Sequence, residues 1–281
     1  MILFPLARRF IAGQSLEGAF PKVLAIAGNG FRITLDCLGE NVTDRGMVEG
    51  AARDYLLALQ ALAARGLDCN ISIKLTQIGL DIDEELCREQ LHRITAEAAR
   101  LKGFVRVDME GSAYTERTLK LVQEVHRQLP CVGAVIQAML KRSPLDVDLF
   151  IAAGIPVRLV KGAYKEPATI ALADKRAVDR QFIELMERLL ADDGYHAIAT
   201  HDAPIIAHAK AIAKARGLAP DRFEFQMLLG IRESLQQQLL AEGWRVRVYI
   251  PYGSAWLPYV LRRVRERKEN LWFVLKNVLK G

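Results

Sequence analysis

The alternation of short β-rich runs with helical segments is the feature that most restricts how this chain can fold. The eight runs are RITLDCL at 32–38, NISIKL at 70–75, FVRVDM at 104–109, VGAVIQ at 132–137, VRLVKG at 157–162, AIATHD at 197–202, FEFQML at 223–228 and RVRVYIP at 245–251. Between them apolar residues recur at helical spacing, as at Ala51, Tyr55, Leu59 and Leu62. Strict alternation favours a parallel sheet with right-handed crossovers, and eight units in roughly 250 residues predict an α/β fold of the (β/α)8 TIM-barrel type.

The composition and the absence of linkers favour one domain. Of the 281 residues, 51% are hydrophobic and 26% are charged, as in ordinary globular proteins. The apolar N-terminus MILFPLARRF is far shorter than the roughly 18 residues that a membrane-spanning helix needs. We therefore expect a single barrel domain over residues 1–281, with residues 1–30 forming an N-terminal helical arm.

The basic residues and the cysteines argue against several classes of partner. The net charge of +6 is concentrated in Arg8-Arg9, Lys141-Arg142 and the segment 262–268. These runs lack the interleaved aromatic residues of nucleic-acid-binding modules, so no nucleic-acid partner is predicted. The cysteines are widely separated, which favours reduced thiols in a cytosolic protein; they are Cys37, Cys69, Cys87 and Cys131.

Two motifs with a possible ligand role are weak. His201 follows a predicted strand, but no second histidine lies at ligand spacing, so we predict no metal site and interpret His201 as hydrogen-bonded to a neutral group. The run Gly28-Asn29-Gly30 lacks the third glycine of a dinucleotide-binding loop and precedes a strand instead of following one. Neither motif indicates a metal or a Rossmann site.

Polar residues at the strand exits predict a polar mouth above an apolar barrel interior. Function in such barrels is found at the carboxyl ends of the strands, and the interior layers are normally apolar. Lys74 would be costly to bury alone, and Asp108 on the next strand is a plausible counter-ion. A purely structural ion pair at the rim remains the alternative. The full set is Asp36, Lys74, Asp108, Gln137, Arg158, Lys161, Thr200, His201, Glu224, Gln226 and Tyr249.

A final helix is predicted from about residue 255, where Trp256, Val260 and Val264 keep apolar spacing. Arg263 falls on that apolar side and Arg262 does not. One interpretation is that a guanidinium faces a ligand, since such groups match the geometry of a carboxylate. The other is that Arg263 extends along the barrel wall to water.

Several longer motifs resemble the proline dehydrogenases. They are RLVKGAY at 158–164, FEFQML at 223–228 and YIPYGSAWLPYVLRR at 249–263, preceded by LDCLGE at 35–40, SIKLTQIGL at 72–80 and QAMLKRS at 137–143. The resemblance spans essentially the whole chain. It implies a distorted (β/α)8 barrel with FAD over the carboxyl ends of the strands and with the last helix covering the mouth.

The resemblance also implies roles for individual residues. Catalysis is expected from Asp108 and Tyr249. Substrate binding is expected from Lys74, Ala163, Tyr164, Leu228, Tyr249, Arg262 and Arg263, with the two arginines and Lys74 on the proline carboxylate. Cofactor binding is expected from Gln137, Arg158, Lys161, Gly162, Ala163, Thr200, His201 and Glu266.

The implied reaction is oxidation of L-proline to Δ1-pyrroline-5-carboxylate, with a hydride passing from C5 to flavin N5 and electrons going on to membrane quinone. A separate pyrroline-5-carboxylate dehydrogenase would act next, because the chain has no room for the second domain of the fused relatives. The expected location is cytoplasmic. The C-terminal segment LWFVLKNVLKG is expected to pack on the barrel, with peripheral membrane contact as the less favoured alternative. Tyr249 favours proline over hydroxyproline, since a smaller residue would leave space for a ring hydroxyl.

Two other functions fit parts of the sequence. A Schiff-base aldolase on the same barrel would use Lys161 or Lys74 as its amine. A basic protein that binds nucleic acid would show strongly salt-dependent association and no flavin. Bound flavin that is bleached by proline distinguishes the first expectation from both.

Overall fold

The computed structural model describes residues 8–266, with side chains described up to residue 261. Eight parallel strands close into a barrel in sequence order, and β1 pairs with β8. The predicted barrel is confirmed. The strands are β1 Arg32–Cys37, β2 Asn70–Ile73, β3 Phe104–Val107, β4 Val132–Gln137, β5 Val157–Val160, β6 His196–Ala199, β7 Phe223–Leu228 and β8 Val246–Tyr252.

Helices separate the strands at the positions that the apolar spacing predicts. Asp44, Asp83 and Asp174 each accept a hydrogen bond from a backbone N–H in the first turn of the helix that follows, as capping carboxylates do. The helices are α1 Leu16–Gly28, α2 Arg45–Ala63, α3 Glu84–Arg100, α4 Ser112–His126, α5 Ser143–Ala152, α6 Lys175–Ala191, α7 Ala203–Ala215, α8 Glu233–Ala241 and α9 Trp256–Glu266. A short 3-10 helix, Leu75–Ile78, follows β2.

The first and last helices depart from the regular pattern. Helix α1, inside the segment predicted as an N-terminal arm, packs against β1 and β8 on the outside of the barrel. Helix α9 instead begins at the mouth, where Tyr259 and Val260 are buried with Phe10 and Ile11 of the N-terminal segment. Thus α1 covers the strands that a regular eighth helix would cover, and α9 lies over the mouth as predicted.

The barrel interior is polar, and the expectation of apolar interior layers is wrong. Buried strand residues include Thr34, Ser72, Arg106, Arg158 and Arg247, and several of them hydrogen-bond to one another across strands. Their neighbours along each strand, such as Ile33, Ile71 and Val105, belong to the main hydrophobic core with the helices. The apolar core is therefore the layer between the barrel and its helices.

Glu224 is also misplaced by the sequence reasoning. It is the second residue of β7 and bonds to Tyr195, which precedes β6, and to Arg247 near the start of β8. Since all strands run in the same direction, these positions lie at the amino ends of the strands. Glu224 belongs to the base of the barrel and not to the mouth.

The cysteines are free thiols in the structure. Cys69 and Cys87 are buried, and Cys37 and Cys131 are half-buried. Burial raises the pKa of Cys37 and of Cys87 to about 12, which keeps both thiols protonated and unreactive at neutral pH. Among residues 8–266, no helix is long and apolar enough to cross a membrane.

Candidate active site at the mouth of the barrel

A cleft of about 1040 Å³ opens at the carboxyl ends of β2 to β8. Many of its polar residues stand immediately after a strand: Lys74 follows β2, Asp108 follows β3, Lys161 follows β5 and Thr200 follows β6. Every residue that the resemblance gives a catalytic, substrate or cofactor role, and whose side chain the structure describes, lines this cleft. These residues are Lys74, Asp108, Gln137, Arg158, Lys161, Gly162, Ala163, Tyr164, Thr200, His201, Leu228 and Tyr249.

Four charged side chains form a buried cluster at one end of the cleft. Lys74 Nζ lies 2.9 Å from Asp36 Oδ1 and 3.7 Å from Asp108 Oδ2. Arg158 binds Asp108 Oδ1 at 2.7 Å, and the hydroxyl of Tyr249 donates to Asp108 Oδ2, also at 2.7 Å. The predicted Lys74–Asp108 pair therefore exists, but Asp36 is the nearer partner of Lys74.

Burial and charge act in opposite directions on this cluster. Burial opposes the positive charge of Lys74, but Asp36 and Asp108 together outweigh it and raise the Lys74 pKa. Burial raises the pKa of Asp36, and the neighbouring Lys74 ammonium opposes that rise because it stabilises the carboxylate. Burial and the carboxylates of Asp108 and Asp36 raise the pKa of Tyr249 well above its usual value. Lys74 therefore stays an ammonium and Tyr249 stays a phenol, a hydrogen-bond donor, at neutral pH.

A layer of hydroxyl groups below the cluster was missed by the sequence reasoning. Ser72 Oγ accepts a bond of 2.9 Å from Arg158 and lies 3.1 Å from Thr34 Oγ1. The signal was the alternation of polar and apolar residues along strands that are buried on both faces, as in Thr34-Leu35-Asp36 and Ile71-Ser72-Ile73. Ser72 and Asp108 together hold the guanidinium of Arg158.

The cofactor residues predicted from the resemblance line the remainder of the cleft. Gln137 Nε2 donates to the backbone oxygen of Glu110 at 3.1 Å. Lys161 pairs with Asp179 and with Asp202, the latter at 2.8 Å. His201 Nε2 accepts from the backbone N–H of Leu228 at 2.9 Å, a neutral partner of the kind predicted for it.

The loop between β5 and α6 carries Ala163 and Tyr164 along the side of the cleft. Gly162 begins it with φ of 113°, and a Cβ there would lie 2.4 Å from Met139 Sδ, so only glycine fits. The loop is held to the start of α4 by Glu166, whose carboxylate accepts a hydrogen bond of 2.8 Å from the backbone N–H of Ser112. These contacts place the backbone of residues 162–164 against the cleft.

The side chains of Arg262, Arg263 and Glu266 lie outside the described residues. Their backbone belongs to α9, whose Tyr259 lines the main cleft. Tyr259 and Lys74 also line a second cleft of about 670 Å³, between the β1–α2 loop, α2 and the start of α9. The two clefts therefore adjoin at these two side chains.

The cleft has features that fit FAD. Lys161, Lys175 and Arg232 line the end that holds Thr200 and His201. The 13-residue helix α7 begins there at Ala203, and the positive end of its dipole favours a diphosphate. At the other end, Gln226 Oε1 and Arg158 Nε are buried without a hydrogen-bond partner in residues 8–261, which leaves polar atoms for a bound ring system. The residues present thus suit both the anionic and the heterocyclic parts of the cofactor.

Comparison with known proteins gives a consistent family. The family model described as proline dehydrogenase matches residues 20–276. The chain is 40% identical over 274 residues to proline dehydrogenase 1 of Bacillus subtilis, covering 98% of this chain and 91% of the relative. It is 39% identical over 284 residues to a proline dehydrogenase of Deinococcus radiodurans, covering 99% and 92%. With the bifunctional protein PutA of Escherichia coli it shares 28% identity over 96% of this chain and 24% of PutA.

A solved structure has the same fold. Proline utilization A (PutA) from Bdellovibrio bacteriovorus, inactivated by N-propargylglycine, superposes with a TM-score of 0.88. The match covers 93% of this chain and 32% of that chain, at 24% identity. At this identity the comparison concerns the barrel architecture alone.

Proposed function

We propose that this chain, a member of the proline dehydrogenase family that carries out the first step of proline catabolism, oxidises L-proline with FAD as its resident cofactor. Bound FAD would supply the hydride acceptor for C5 of proline, and loss of the amine proton would complete the C=N bond of Δ1-pyrroline-5-carboxylate. The observation that carries the proposal is that those predicted substrate and cofactor residues whose side chains are described line a single cleft. The protein's contribution is positioning and electrostatics.

The substrate end of the cleft is assigned to the Lys74 cluster. Lys74, kept as an ammonium by its two carboxylate neighbours, would bind the proline carboxylate together with Arg262 and Arg263. Tyr249 would bound the pocket around the proline ring with Leu228, Ala163 and Tyr164. The Tyr249 hydroxyl donates to Asp108 at 2.7 Å, and this bond fixes the orientation of the tyrosine ring.

The cofactor end is assigned to residues on β4 and β5 and to those directly after β5 and β6. Gln137 and Arg158 would contact the isoalloxazine ring, and Lys161, Gly162, Ala163, Thr200 and His201 would line the remainder, with Glu266 completing the set. Arg158 cannot turn freely, because Asp108 and Ser72 both hold its guanidinium. A fixed cation beside the ring would stabilise negative charge that develops there.

The remaining parts of the proposal concern partners. Quinone would reoxidise the flavin, and a separate pyrroline-5-carboxylate dehydrogenase would take the product. We place the enzyme in the cytoplasm, as one domain over 1–281, with peripheral contact at the inner face of the cell membrane as an option. The aldolase alternative is disfavoured for Lys74, because its raised pKa leaves too little free amine to form a Schiff base.

The absorption spectrum of the purified, FAD-reconstituted protein tests the proposal. We expect a flavin band that bleaches anaerobically on addition of L-proline and returns on addition of a soluble quinone. Glycine, which has the amine and the carboxylate but no ring, is the control and leaves the band unchanged. A protein that retains no flavin after reconstitution, or whose flavin ignores proline, would contradict the assignment.

A further inference from the structure

We propose that Asp36 is a positioning residue of the reaction: its carboxylate fixes the ammonium of Lys74 and balances its charge, so that Asp108 is left to orient Arg158 and Tyr249. Asp36 has no role in the substrate and cofactor sets described above and does not line the cleft. The inference rests on the proposed function, in which Lys74 binds the substrate carboxylate.

Asp36 lies below Lys74 in the barrel, on the side away from the mouth. Asp36 is the fifth residue of β1 and is fully buried, and its register partner on β2 is Ser72. Lys74 stands two residues beyond Ser72, so its side chain reaches the carboxylate from the mouth side. The 2.9 Å contact with Asp36, against 3.7 Å to Asp108, puts the ammonium against β1 and away from β3.

The hydrogen bonding of Asp36 differs from that of a carboxylate with a purely structural role. At the base of the barrel, Glu224 has partners on both oxygens: Arg247 and Gln226 on Oε1, and Tyr195 on Oε2. Asp36 Oδ2 is buried with no hydrogen-bond partner in residues 8–261. A buried carboxylate with an unsatisfied oxygen is costly, and the other oxygen of Asp36 accepts its 2.9 Å bond from a site residue, Lys74.

Charge balance explains what the carboxylate does for its neighbours. The cluster holds two cations, Lys74 and Arg158, and two carboxylates, Asp36 and Asp108. The groups that face Asp36 from other strands are Lys74, Asp108 and Tyr249. Without the charge on Asp36, Lys74 is drawn to Asp108, which already binds Arg158 and Tyr249. Substrate orientation and cation placement are then disturbed together.

A double-mutant cycle on the FAD-loaded enzyme separates this role from a structural one. We expect Asp36→Asn to lower kcat/KM about tenfold or more, the scale of a hydrogen bond to a charged group. The KM for proline should rise. The inhibition constant of cyclopentanecarboxylate, which has the carboxylate and the ring size but no amine, should rise as well. In the Lys74→Met background the same substitution should cause little further loss, because Asp36 acts through Lys74.

The cycle has outcomes that overturn the proposal. If Asp36→Asn lowers kcat/KM by the same factor with and without Lys74, or leaves it unchanged, Asp36 does not position Lys74. If Asp36→Asn does not fold, Asp36→Glu enters the same cycle, because it keeps the charge and displaces it. Wild-type enzyme that fails the flavin-bleaching test refutes the proposed function, whereas a working wild type with an additive cycle refutes the Asp36 role alone.

Discussion

The mouth and the base of the barrel contain similar charged residues in different surroundings. At the base, Arg247 binds Glu224 at 2.7 Å and Asp68 at 2.8 Å, and the side chains of Arg247 and Glu224 are 5% and 3% exposed. At the mouth, Arg158 binds Asp108 at the same 2.7 Å, but Asp108 is 14% exposed and lines a cleft. A buried ion pair alone therefore does not mark an active site.

What distinguishes the two ends is space, because the cleft opens at the carboxyl ends of the strands. Buried atoms without a hydrogen-bond partner in residues 8–261 occur at both ends, as at Arg158 Nε near the mouth and Arg106 Nε near the base, but only those near the mouth are next to the cleft. Groups at the amino ends of barrel strands commonly stabilise, and those at the carboxyl ends commonly react. We expect substitutions at the base to change the free energy of unfolding and substitutions at the mouth to change catalysis.

The largest effect is expected from Arg247→Met at the base. This change leaves Glu224 buried without its cation, and breaking a buried pair in this way typically costs about 3–5 kcal/mol of unfolding free energy. Chemical denaturation followed by circular dichroism measures the loss, and kcat/KM of the folded fraction should stay close to wild type. The double variant Arg247→Met with Glu224→Gln is the matched control and should recover part of the stability; equal losses in both would contradict this account.

A smaller loss of stability but a larger loss of activity is expected from Arg158→Met at the mouth. Asp108 keeps Tyr249 and gains freedom to pair with Lys74, so the carboxylate is not left alone. Losing a fixed cation beside the reacting groups should lower kcat/KM about 100-fold. Steady-state kinetics and denaturation of the same preparation give both values. If Arg158→Met is less stable than Arg247→Met but fully active, the assignment of catalysis to the mouth and of stability to the base is wrong.

The smallest effect concerns pH and His196 at the base. Its Nδ1 accepts from the backbone N–H of Val157 at 3.1 Å, and its Nε2 lies 2.8 Å from Asp192. Burial lowers its pKa in the folded state, so the unfolded chain takes up the proton first as the pH falls. The free energy of unfolding should thus be level above about pH 6.5 and fall by roughly 1 kcal/mol or less toward pH 5.

The control for that prediction is His196→Gln, which removes the titrating group. The difference in unfolding free energy between wild type and variant should change with pH in this window, measured by urea denaturation at each pH. The pH profile of kcat should be the same in both proteins, because His196 is at the opposite end of the barrel from the cleft. If the difference in unfolding free energy between the two proteins is constant from pH 8 to pH 5, His196 does not cause the pH dependence.

Most of the secondary structure could be predicted from the sequence, because the alternation of strands and the apolar spacing of helices are patterns among neighbouring residues. Each of the eight predicted strands is present, and polar residues directly after them, such as Lys74, Asp108 and Thr200, line the cleft. The roles of these residues came from resemblance to a family and stay predictions until the kinetics are measured. The alternation along the strands indicates the polar barrel interior, whereas the usual apolar filling of such barrels predicts the opposite.

Other features depended on contacts between distant residues. No local pattern shows that Asp36 is nearer to Lys74 than Asp108 is, since both carboxylates lie on adjacent strands and the choice follows from barrel stagger and side-chain length. The placement of Glu224 at the base follows from its partners Tyr195 and Arg247, the latter 23 residues away. The exchange of α1 for a regular eighth helix depends in the same way on how α9 packs over the mouth.

By itself the sequence determined the order of strands and helices, the end of the barrel at which function lies and the family, because these follow from spacing and from long motifs in order. The tertiary structure decided which cation faces which carboxylate, and so separated the closed base from the open mouth. The physical reason is that the energy and the pKa of a buried charge depend on every group around it, and those groups come from strands far apart in the chain.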